Sequence, residues 1–247
     1  TAYHHGRKSW TRLVDRFIAP TYFVKKKHIE AGFDPDRIEV KPNFVFPDPG
    51  VGDGSGKYVA FAGRLSAEKG IDTLLETWQY LQADIPLKIA GDGPLADRVQ
   101  AAAAADRRIE WLGRVDKEQM TDLLGKAVCV IMPSVCYETF GLTIVEAFAK
   151  GTPVIASRMG AMQELIDDGA NGFLVEPTDA KQFADKVEQI FNMDTAGLRK
   201  SARQDFELKY TADANHELLV GIYAKTGAPC SQPLVHSSIQ PDPSMTR

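Results

Sequence analysis

Residues 128–156 read VCVIMPSVCYETFGLTIVEAFAKGTPVIA, in which two apolar runs, 128–132 and 153–156, flank a helical pattern over 141–149. A run that is apolar at every position is typical of a strand covered on both faces of a sheet. A strand followed by a helix and a second strand predicts a parallel pair joined by a right-handed crossover. This stretch therefore predicts an α/β fold.

The same alternation continues on both sides of this stretch. Four further apolar runs predict strands, at residues 58–62, 87–90, 109–112 and 172–175. Helical patterns separate or follow the strands, at residues 70–81, 95–105, 117–124, 163–166 and 180–191. Because the strands are mostly apolar rather than alternating, and because helices lie between them, we predict one doubly wound, Rossmann-like parallel sheet over residues 57–195.

The front of the chain has a different pattern. Residues 16–19 and 37–41 predict two short strands around one helix, a unit too small to cover both of its faces. We therefore interpret residues 1–41 as the end of a preceding domain. Its first strand would have lost its neighbours, so we expect this front segment to be poorly ordered.

The remaining segments connect or follow the predicted sheet. Residues 42–56 are rich in Pro and Gly and predict a linker. Residues 196–225 predict two further helices, and the polar residues 226–247 predict a disordered tail. The first residue is Thr rather than Met, which indicates a piece of a longer protein.

The composition is that of an ordinary folded protein. Hydrophobic residues make up 44% of the 247 positions and charged residues 25%, which excludes the disordered and fibrous classes. The 29 Lys and Arg against 33 Asp and Glu give a net charge of −4, which argues against a nucleic acid partner. Cys129, Cys136 and Cys230 are odd in number and form no CxxC pair, so we expect reduced thiols, a cytoplasmic protein and no metal site.

Two glutamates flank the turn that begins the helical pattern at 141. Glu138 precedes the turn, and Glu146 follows it by one to two helical turns. The unpaired N–H groups of a helix start attract phosphate, and Gly141 would let a ligand approach the backbone closely. Glu146 could bind the two hydroxyls of a ribose. The spacing alone fits equally well a capped helix whose carboxylates favour the helix dipole. The amides in question belong to Phe140, Gly141, Leu142 and Thr143.

Two cations follow the strand predicted at 58–62. Gly63 would give this strand a sharp exit, and Arg64 and Lys69 come directly after it. Open α/β sheets bind ligands at the carboxyl ends of their strands, and Arg and Lys both bind phosphate. The alternative interpretation is a pair of solvated surface cations near Glu68.

Three other turns give weaker signals. The backbone at Arg114 and Val115 could contact a flat nucleobase, although a tight turn explains the pattern equally well. We expect Glu164 to cap or brace a neighbouring loop. Cys136 has no base near it in sequence, so we do not expect it to act as a nucleophile.

Taken together, five ordered stretches resemble the retaining glycosyltransferases of family four, or glycosyl transferases group 1, which have the GT-B fold. The stretches are FAGRLSAEKG, LKIAGDGPL, IEWLGRV, MPSVCYETFGLTIVEAFAKGTPVIAS and NGFLVEP. The resemblance covers about residues 57–224, which would be the C-terminal donor-binding domain. The front stretch VDRFIAPTYFVKKKHIEAGFDPDRIEVKPNFV resembles the end of the N-terminal acceptor domain, and residues 198–224 resemble helices of which one crosses back to that domain.

The resemblance implies a role for each candidate residue. Arg64 and Lys69 would bind the donor's diphosphate and stabilise the leaving group, and Glu138 would face the donor sugar, so these three are the expected catalytic residues. Glu146 would bind the ribose. The other expected donor-binding residues are Gly63, Arg114, Val115, Phe140, Gly141, Leu142 and Thr143. The family's acceptor-domain histidine is not matched by His4 or His5, and Gly160-Ala161 stands where the family often has Gly-Gly.

The implied reaction is transfer of a sugar from a nucleotide-diphosphate sugar to an acceptor hydroxyl with retention of configuration, without a cofactor or a metal. The acceptor stays open between a sugar, a lipid-linked sugar and a small molecule, and the absent domain could contact the inner face of a membrane. Two alternatives stay open as well. One is a fragment that binds the nucleotide sugar with little or no transfer, and the other is a nucleotide-sugar epimerase of the same architecture.

Overall fold

A computed structural model describes residue 6 and residues 9–226 of the chain. The predicted disordered tail lies outside the described residues except for Thr226, as do His4, His5 and Cys230. Within the described part, no helix has the length and apolar character needed to cross a membrane. The strands are β1 Phe17–Ala19, β2 Ile38–Val40, β3 Val59–Ala62, β4 Leu87–Ala90, β5 Ile109–Gly113, β6 Cys129–Met132, β7 Val154–Ser157 and β8 Gly172–Val175. The helices are α1 Ser9–Leu13, α2 Tyr22–Glu30, α3 Ile71–Tyr80, α4 Ala96–Ala105, α5 Lys117–Lys126, α6 Leu142–Ala149, α7 Met162–Leu165, α8 Ala180–Asn192, α9 Ala196–Lys209 and α10 Ala212–Ala224.

Six strands form one parallel sheet in the order β5-β4-β3-β6-β7-β8. The chain adds strands outward from β3 in one direction and outward from β6 in the other. The loops that leave β3 and β6 therefore diverge to opposite sides, which opens a crevice at the carboxyl ends of these two strands. The prediction of an α/β fold with a Rossmann-like parallel sheet is confirmed.

Both faces of the sheet are buried at β3, β6 and β8, which explains why these strands are apolar at successive positions. In β3, Ala60 and Ala62 face a cluster that contains Phe148 of α6 and Phe206 of α9. Val59 and Phe61 of the same strand face a second cluster that contains Trp78, Leu74 and Phe183. Fully burying a side chain of this size contributes about 1.5–3 kcal/mol, so the two clusters hold the crevice on a rigid base.

The predicted boundaries agree with the structure to within two residues for the six strands of this sheet. Helix α5 extends two residues beyond its predicted end and begins with a capping box, in which Asp116 accepts the N–H of Gln119 and the Gln119 side chain accepts the N–H of Asp116. Such reciprocal bonds satisfy two of the unpaired donors of a helix start.

The front segment forms a small sheet of its own. Strands β1 and β2 pair in parallel around α2, with Ala19 and Ile38 buried. The N-terminus of α2 is bonded to the larger domain, as described below. The structure thus differs from the expectation of a poorly ordered segment, because β1 has a strand neighbour and α2 has an anchor.

The segment predicted as a linker, residues 42–56, lies against the larger domain. Gly52 N–H donates to the carbonyl of Lys150 at 2.9 Å, and Gly54 N–H donates to that of Gly125 at 3.0 Å. The Arg199 guanidinium donates to the Gly52 carbonyl at 2.9 Å. These bonds satisfy backbone groups that a free linker would leave to water.

Helix α10 contacts the front segment. The Asn215 side chain accepts a hydrogen bond from Lys41 Nζ at 2.9 Å and donates one to the carbonyl of Pro42. Lys225, the C-cap residue of this helix, forms an ion pair with Glu39 of β2 at 3.0 Å. The final helix therefore joins the front segment to the rest of the molecule.

Candidate functional site

The loops that leave β3 and β6 are packed backbone against backbone. Gly70 has a left-handed φ of 73°, and a Cβ added to it would lie 1.8 Å from the carbonyl oxygen of Pro133. Val135 N–H donates to the Glu68 carbonyl at 3.0 Å. Only glycine combines this conformation with this approach. The two loops are therefore held together at the crevice, although 63 residues of sequence separate Gly70 from Pro133.

This contact brings two predicted site residues together. Lys69 Nζ lies 2.5 Å from Glu138 Oε1, and the two side chains are 29% and 14% exposed. The Ser134 hydroxyl donates to the same oxygen, Oε1, at 3.0 Å. Glu138 Oε2 receives no hydrogen bond from the residues that the structure describes. Sequence reasoning found Lys69 and Glu138 but did not expect their ion pair, and it missed Ser134.

Arg64 and Gly63 leave space at the same edge of the sheet. The Arg64 side chain is exposed and has no ion pair among residues 9–226. A Cβ added to Gly63 would meet only the Phe61 ring, at an ordinary 3.6 Å. Because neither a left-handed φ nor a protein contact demands glycine at position 63, the absence of a side chain there leaves room for a ligand. The alternative of two solvated cations near Glu68 does not hold for Lys69, which pairs with Glu138.

Helix α6 begins without a side-chain cap. Its N-cap residue, Gly141, has a φ of 86° and a ψ of 57°, a left-handed conformation. The ring of Phe140 is buried edge-on against Tyr210, with centroids 6.1 Å apart, and this contact anchors the turn. Within the described part of the chain, the N–H groups of Phe140, Gly141, Leu142 and Thr143 have no protein acceptor. The positive end of the helix dipole is thus open to an anion.

Glu146 lies in the second turn of α6 and differs from Glu138. Its side chain is half-buried and accepts no hydrogen bond from residues 9–226. Burial raises the pKa of the Glu146 carboxyl, and the charge of Lys117 offsets this only in part. A half-buried carboxylate without a donor is unfavourable unless a ligand supplies one.

The loop after β5 continues the same edge. Gly91 N–H donates to the Gly113 carbonyl at 2.7 Å, and Gly113 has a left-handed φ of 67°. The Arg114 guanidinium pairs with Asp92 at 3.0 Å on the surface. Val115 packs against the core. The Arg114 side chain is thus paired at the surface, and a contact between the backbone of this loop and a nucleobase stays a prediction.

Glu164 braces a neighbouring element, as its sequence position predicted. Its carboxylate accepts the N–H of Tyr22 at 2.8 Å and the N–H of Phe23, both at the start of α2. Thr21, the N-cap of α2, also donates its hydroxyl to the Thr139 carbonyl at 3.1 Å. The front segment is therefore attached to the turn between Glu138 and α6.

The described residues contain no group of three or more His, Cys, Asp or Glu side chains that could hold a metal ion. A cavity of about 760 Å³ lies elsewhere, between the front segment and the C-terminal helices, with Tyr22, Tyr210 and Leu218 in its lining. It reaches the turn before α6 only through Phe140. Arg64, Lys69 and Glu146 are not among the residues that line it.

This architecture, a Rossmann-like sheet with cations and an uncapped helix start at the point where strand order reverses, is that of a GT-B glycosyltransferase domain. The sequence profile of the family described as glycosyl transferases group 1 matches residues 56–193, more than half of the chain. The chain belongs to this family.

Curated relatives share the central part of the chain. An uncharacterized glycosyltransferase, MJ1607 of Methanocaldococcus jannaschii, is 31% identical over 176 residues, which are 68% of this chain and 44% of the relative. Alpha-D-kanosaminyltransferase of Streptomyces kanamyceticus is 26% identical over 216 residues, which are 83% of this chain and 53% of the relative. The chain thus spans about half the length of the curated relatives it matches.

Solved structures share the fold. Anabaena Alr3699/HepE in complex with UDP superimposes with a TM-score of 0.78 at 20% identity, over 87% of this chain and 65% of the other. A glycosyltransferase from Rickettsia africae ESF-5 superimposes with a TM-score of 0.77 at 22% identity, over 91% of this chain and 68% of the other.

Proposed function

We propose that this chain is the donor-binding half of a retaining glycosyltransferase, which transfers a sugar from a nucleotide-diphosphate sugar to an acceptor hydroxyl. One observation carries the proposal. Lys69 Nζ lies 2.5 Å from Glu138 Oε1 in the crevice between β3 and β6. Glu138 stands three residues before Gly141, the N-cap of the uncapped helix α6. A cation, a carboxylate and free amides at one point suit a ligand that has both an anion and hydroxyl groups.

The diphosphate would bind between the cations and the helix start. The exposed Arg64 guanidinium, Lys69 and the amides of Leu142 and Thr143 all offer donors to phosphate oxygens. Breaking the bond between sugar and phosphate leaves its electron pair on the diphosphate. Donors already fixed around that position stabilise the new charge without having to reorganise, which lowers the barrier.

The sugar would face Glu138, and the ribose would face Glu146. Glu138 Oε2 is free to accept a hydrogen bond from a sugar hydroxyl. Glu146 is half-buried without a donor, and two ribose hydroxyls would supply what it lacks. A nucleotide-sugar ligand is supported by the similar fold of the Anabaena protein, which was solved with UDP and with UDP-glucose.

Retention would follow from reaction on one face of the sugar. The acceptor oxygen would form its bond to the anomeric carbon on the side from which the diphosphate departs, and the acceptor proton would pass to the departing phosphate oxygen. No protein nucleophile is required. Cys136 lies half-buried in the β6 loop, and no hydrogen bond joins it to a histidine among the described residues.

The acceptor site would lie largely outside this chain. The chain spans about half of its curated relatives, and the front segment, residues 1–41, would belong to the acceptor-binding domain. Helix α10, which bonds to Lys41 and Pro42, would be the helix that crosses back to it. A closed cleft excludes water and orients the acceptor, so we propose that these 247 residues bind the nucleotide but transfer the sugar poorly.

Calorimetry with UDP and GDP, followed by a transfer assay with the matching nucleotide sugar, tests both parts. We expect nucleotide binding with little or no transfer. No binding of either nucleotide would contradict the donor site, and fast transfer would contradict the dependence on a second domain. Formation of an epimer from the donor without an acceptor would favour the epimerase alternative instead.

A further inference from the structure

We infer that Ser134 is a positioning residue for Glu138, and that its hydroxyl decides which carboxylate oxygen is free for the donor sugar. The inference rests on the proposed function. It assigns a role to a residue that does not itself reach the ligand and that lies four positions before the glutamate, in a loop rather than in a helix.

Ser134 is itself held in place. The residue is 1% exposed. The preceding residue, Pro133, has its carbonyl oxygen against Gly70, and the following residue, Val135, donates its N–H to the Glu68 carbonyl. A hydroxyl fixed on both sides by backbone contacts acts as a rigid donor.

Two donors converge on one oxygen of Glu138. Ser134 Oγ lies 3.0 Å and Lys69 Nζ lies 2.5 Å from Oε1, while Oε2 has no donor among residues 9–226. Because Oε1 already accepts two hydrogen bonds, a sugar hydroxyl can donate only to Oε2. The orientation of the carboxylate, and not only its presence, is therefore part of the site.

The two donors differ in what happens when the donor substrate binds. Lys69 is a flexible point charge that an incoming diphosphate would attract away from Glu138. Ser134 is neutral and buried, so phosphate does not compete for it. After Lys69 has moved to the diphosphate, Ser134 is the contact that still holds Glu138 Oε1.

The substitution Ser134→Ala tests this role by comparing a nucleotide with its nucleotide sugar. UDP makes no use of the sugar position, whereas UDP-glucose does, and GDP with GDP-mannose provides the same comparison for the other base. We expect affinity for the nucleotide to change less than twofold and affinity for the nucleotide sugar to fall roughly 5- to 10-fold, as for the loss of one ordinary hydrogen bond. Ser134→Thr, which keeps the hydroxyl, should restore most of this loss.

Ser157→Ala is a matched control. Ser157 is a fully buried serine at the end of β7, and its hydroxyl has no partner in the described part of the chain. The same substitution there should leave both affinities unchanged. An equal loss of nucleotide and nucleotide-sugar affinity in Ser134→Ala would show a merely structural role, and unchanged affinities for both would show that the hydroxyl has no role; either result overturns the inference.

A measurement without any nucleotide separates this inference from the proposed function. Carbon relaxation of the Glu138 side chain reports its order in the free protein, and we expect that order to fall in Ser134→Ala and to return in Ser134→Thr. If the parent protein binds no nucleotide while this pattern is found, the donor site is wrong although Ser134 orients Glu138. If the order does not change, the positioning role is wrong whatever the protein binds.

Discussion

The candidate site has a glutamate at each of its two ends, Glu138 and Glu146, and the surroundings of the two carboxylates are opposite in character. Glu138, before α6, accepts hydrogen bonds from Lys69 and Ser134. Glu146, inside α6, is half-buried with a raised pKa and no donor among residues 9–226. At the first end a ligand has to compete with contacts that the protein already makes, and at the second end it supplies contacts that the protein lacks. The sequence between Glu138 and Glu146 does not reveal this difference. It arises because the loop that follows β3 brings Lys69 to Glu138.

The substitution Gly70→Ala should break the Glu138 end and have the largest effect. A Cβ there would lie 1.8 Å from the Pro133 carbonyl, at a φ of 73° that alanine adopts poorly. Either the two loops separate or the backbone becomes strained, so we expect a loss of at least about 2 kcal/mol in the free energy of unfolding. Urea unfolding measures this loss.

Gly169→Ala is the control for the backbone conformation. Gly169 has a similar φ of 87°, but an added Cβ would have nothing within 4 Å. This variant should lose only the conformational part, about 1–2 kcal/mol. Equal losses in the two variants would mean that the contact between the β3 and β6 loops contributes nothing.

The substitution Lys69→Ala tests the Glu138 end at the level of binding. It removes a cation that lies in the crevice, and the loss of a charged hydrogen bond to the diphosphate should weaken nucleotide binding by roughly 1.5–3 kcal/mol. Calorimetry measures this change, and Arg64→Ala should act in the same direction. Lys181→Ala, which removes a surface cation paired with Asp185, should leave the affinity unaltered. Unaltered affinity in Lys69→Ala and Arg64→Ala would make both cations ordinary surface residues.

The substitution Glu146→Gln tests the other end through stability. Burial raises the pKa of Glu146 in the folded protein, so the folded state holds its proton to higher pH than the unfolded state. Unfolding free energy should therefore fall as pH rises from the unfolded pKa to the folded one, and Gln should remove this fall. At neutral pH the variant should therefore be more stable than the parent.

Thermal unfolding of the parent and of Glu146→Gln at pH 4 and pH 7 gives the comparison. The gain should be present at pH 7 and shrink at pH 4, while nucleotide affinity, measured by calorimetry, falls at pH 7. Glu76→Gln, an exposed position on α3, controls for the introduction of glutamine. A variant less stable than the parent at pH 7 would mean that Glu146 has a protein partner.

The smallest effect is expected from Thr21→Val. The Thr21 hydroxyl caps α2 and donates to the Thr139 carbonyl next to Glu138. Its removal should reduce stability by about 1 kcal/mol and speed amide exchange at Val24, without altering Glu146. Exchange monitored by NMR checks this. No amide protection in α2 of the parent would restore the expectation of a poorly ordered front segment.

The sequence was sufficient for the six-stranded sheet and insufficient for the contacts at its edge. Strands such as β6 are apolar because both of their faces are buried, and that requirement is visible in a single run of residues. The pairing of Lys69 with Glu138, by contrast, depends on Gly70 meeting Pro133. No local pattern encodes the apposition of two loops. Ser134 was missed for the same reason, since a serine after a strand is ordinary until its neighbour is known.

The path of residues 42–56 has a mechanical consequence. Gly52 and Gly54 are bonded to Lys150 and Gly125, and Arg199 holds the same stretch. These glycines, which from the sequence alone would be expected to act as a flexible hinge, are thereby hydrogen-bonded to the domain that contains the six-stranded sheet. Any rotation of the front segment relative to the six-stranded sheet therefore has to occur at the few residues between β2 and Pro47, close to α10. The two parts would rotate about a short hinge and not about a long flexible linker.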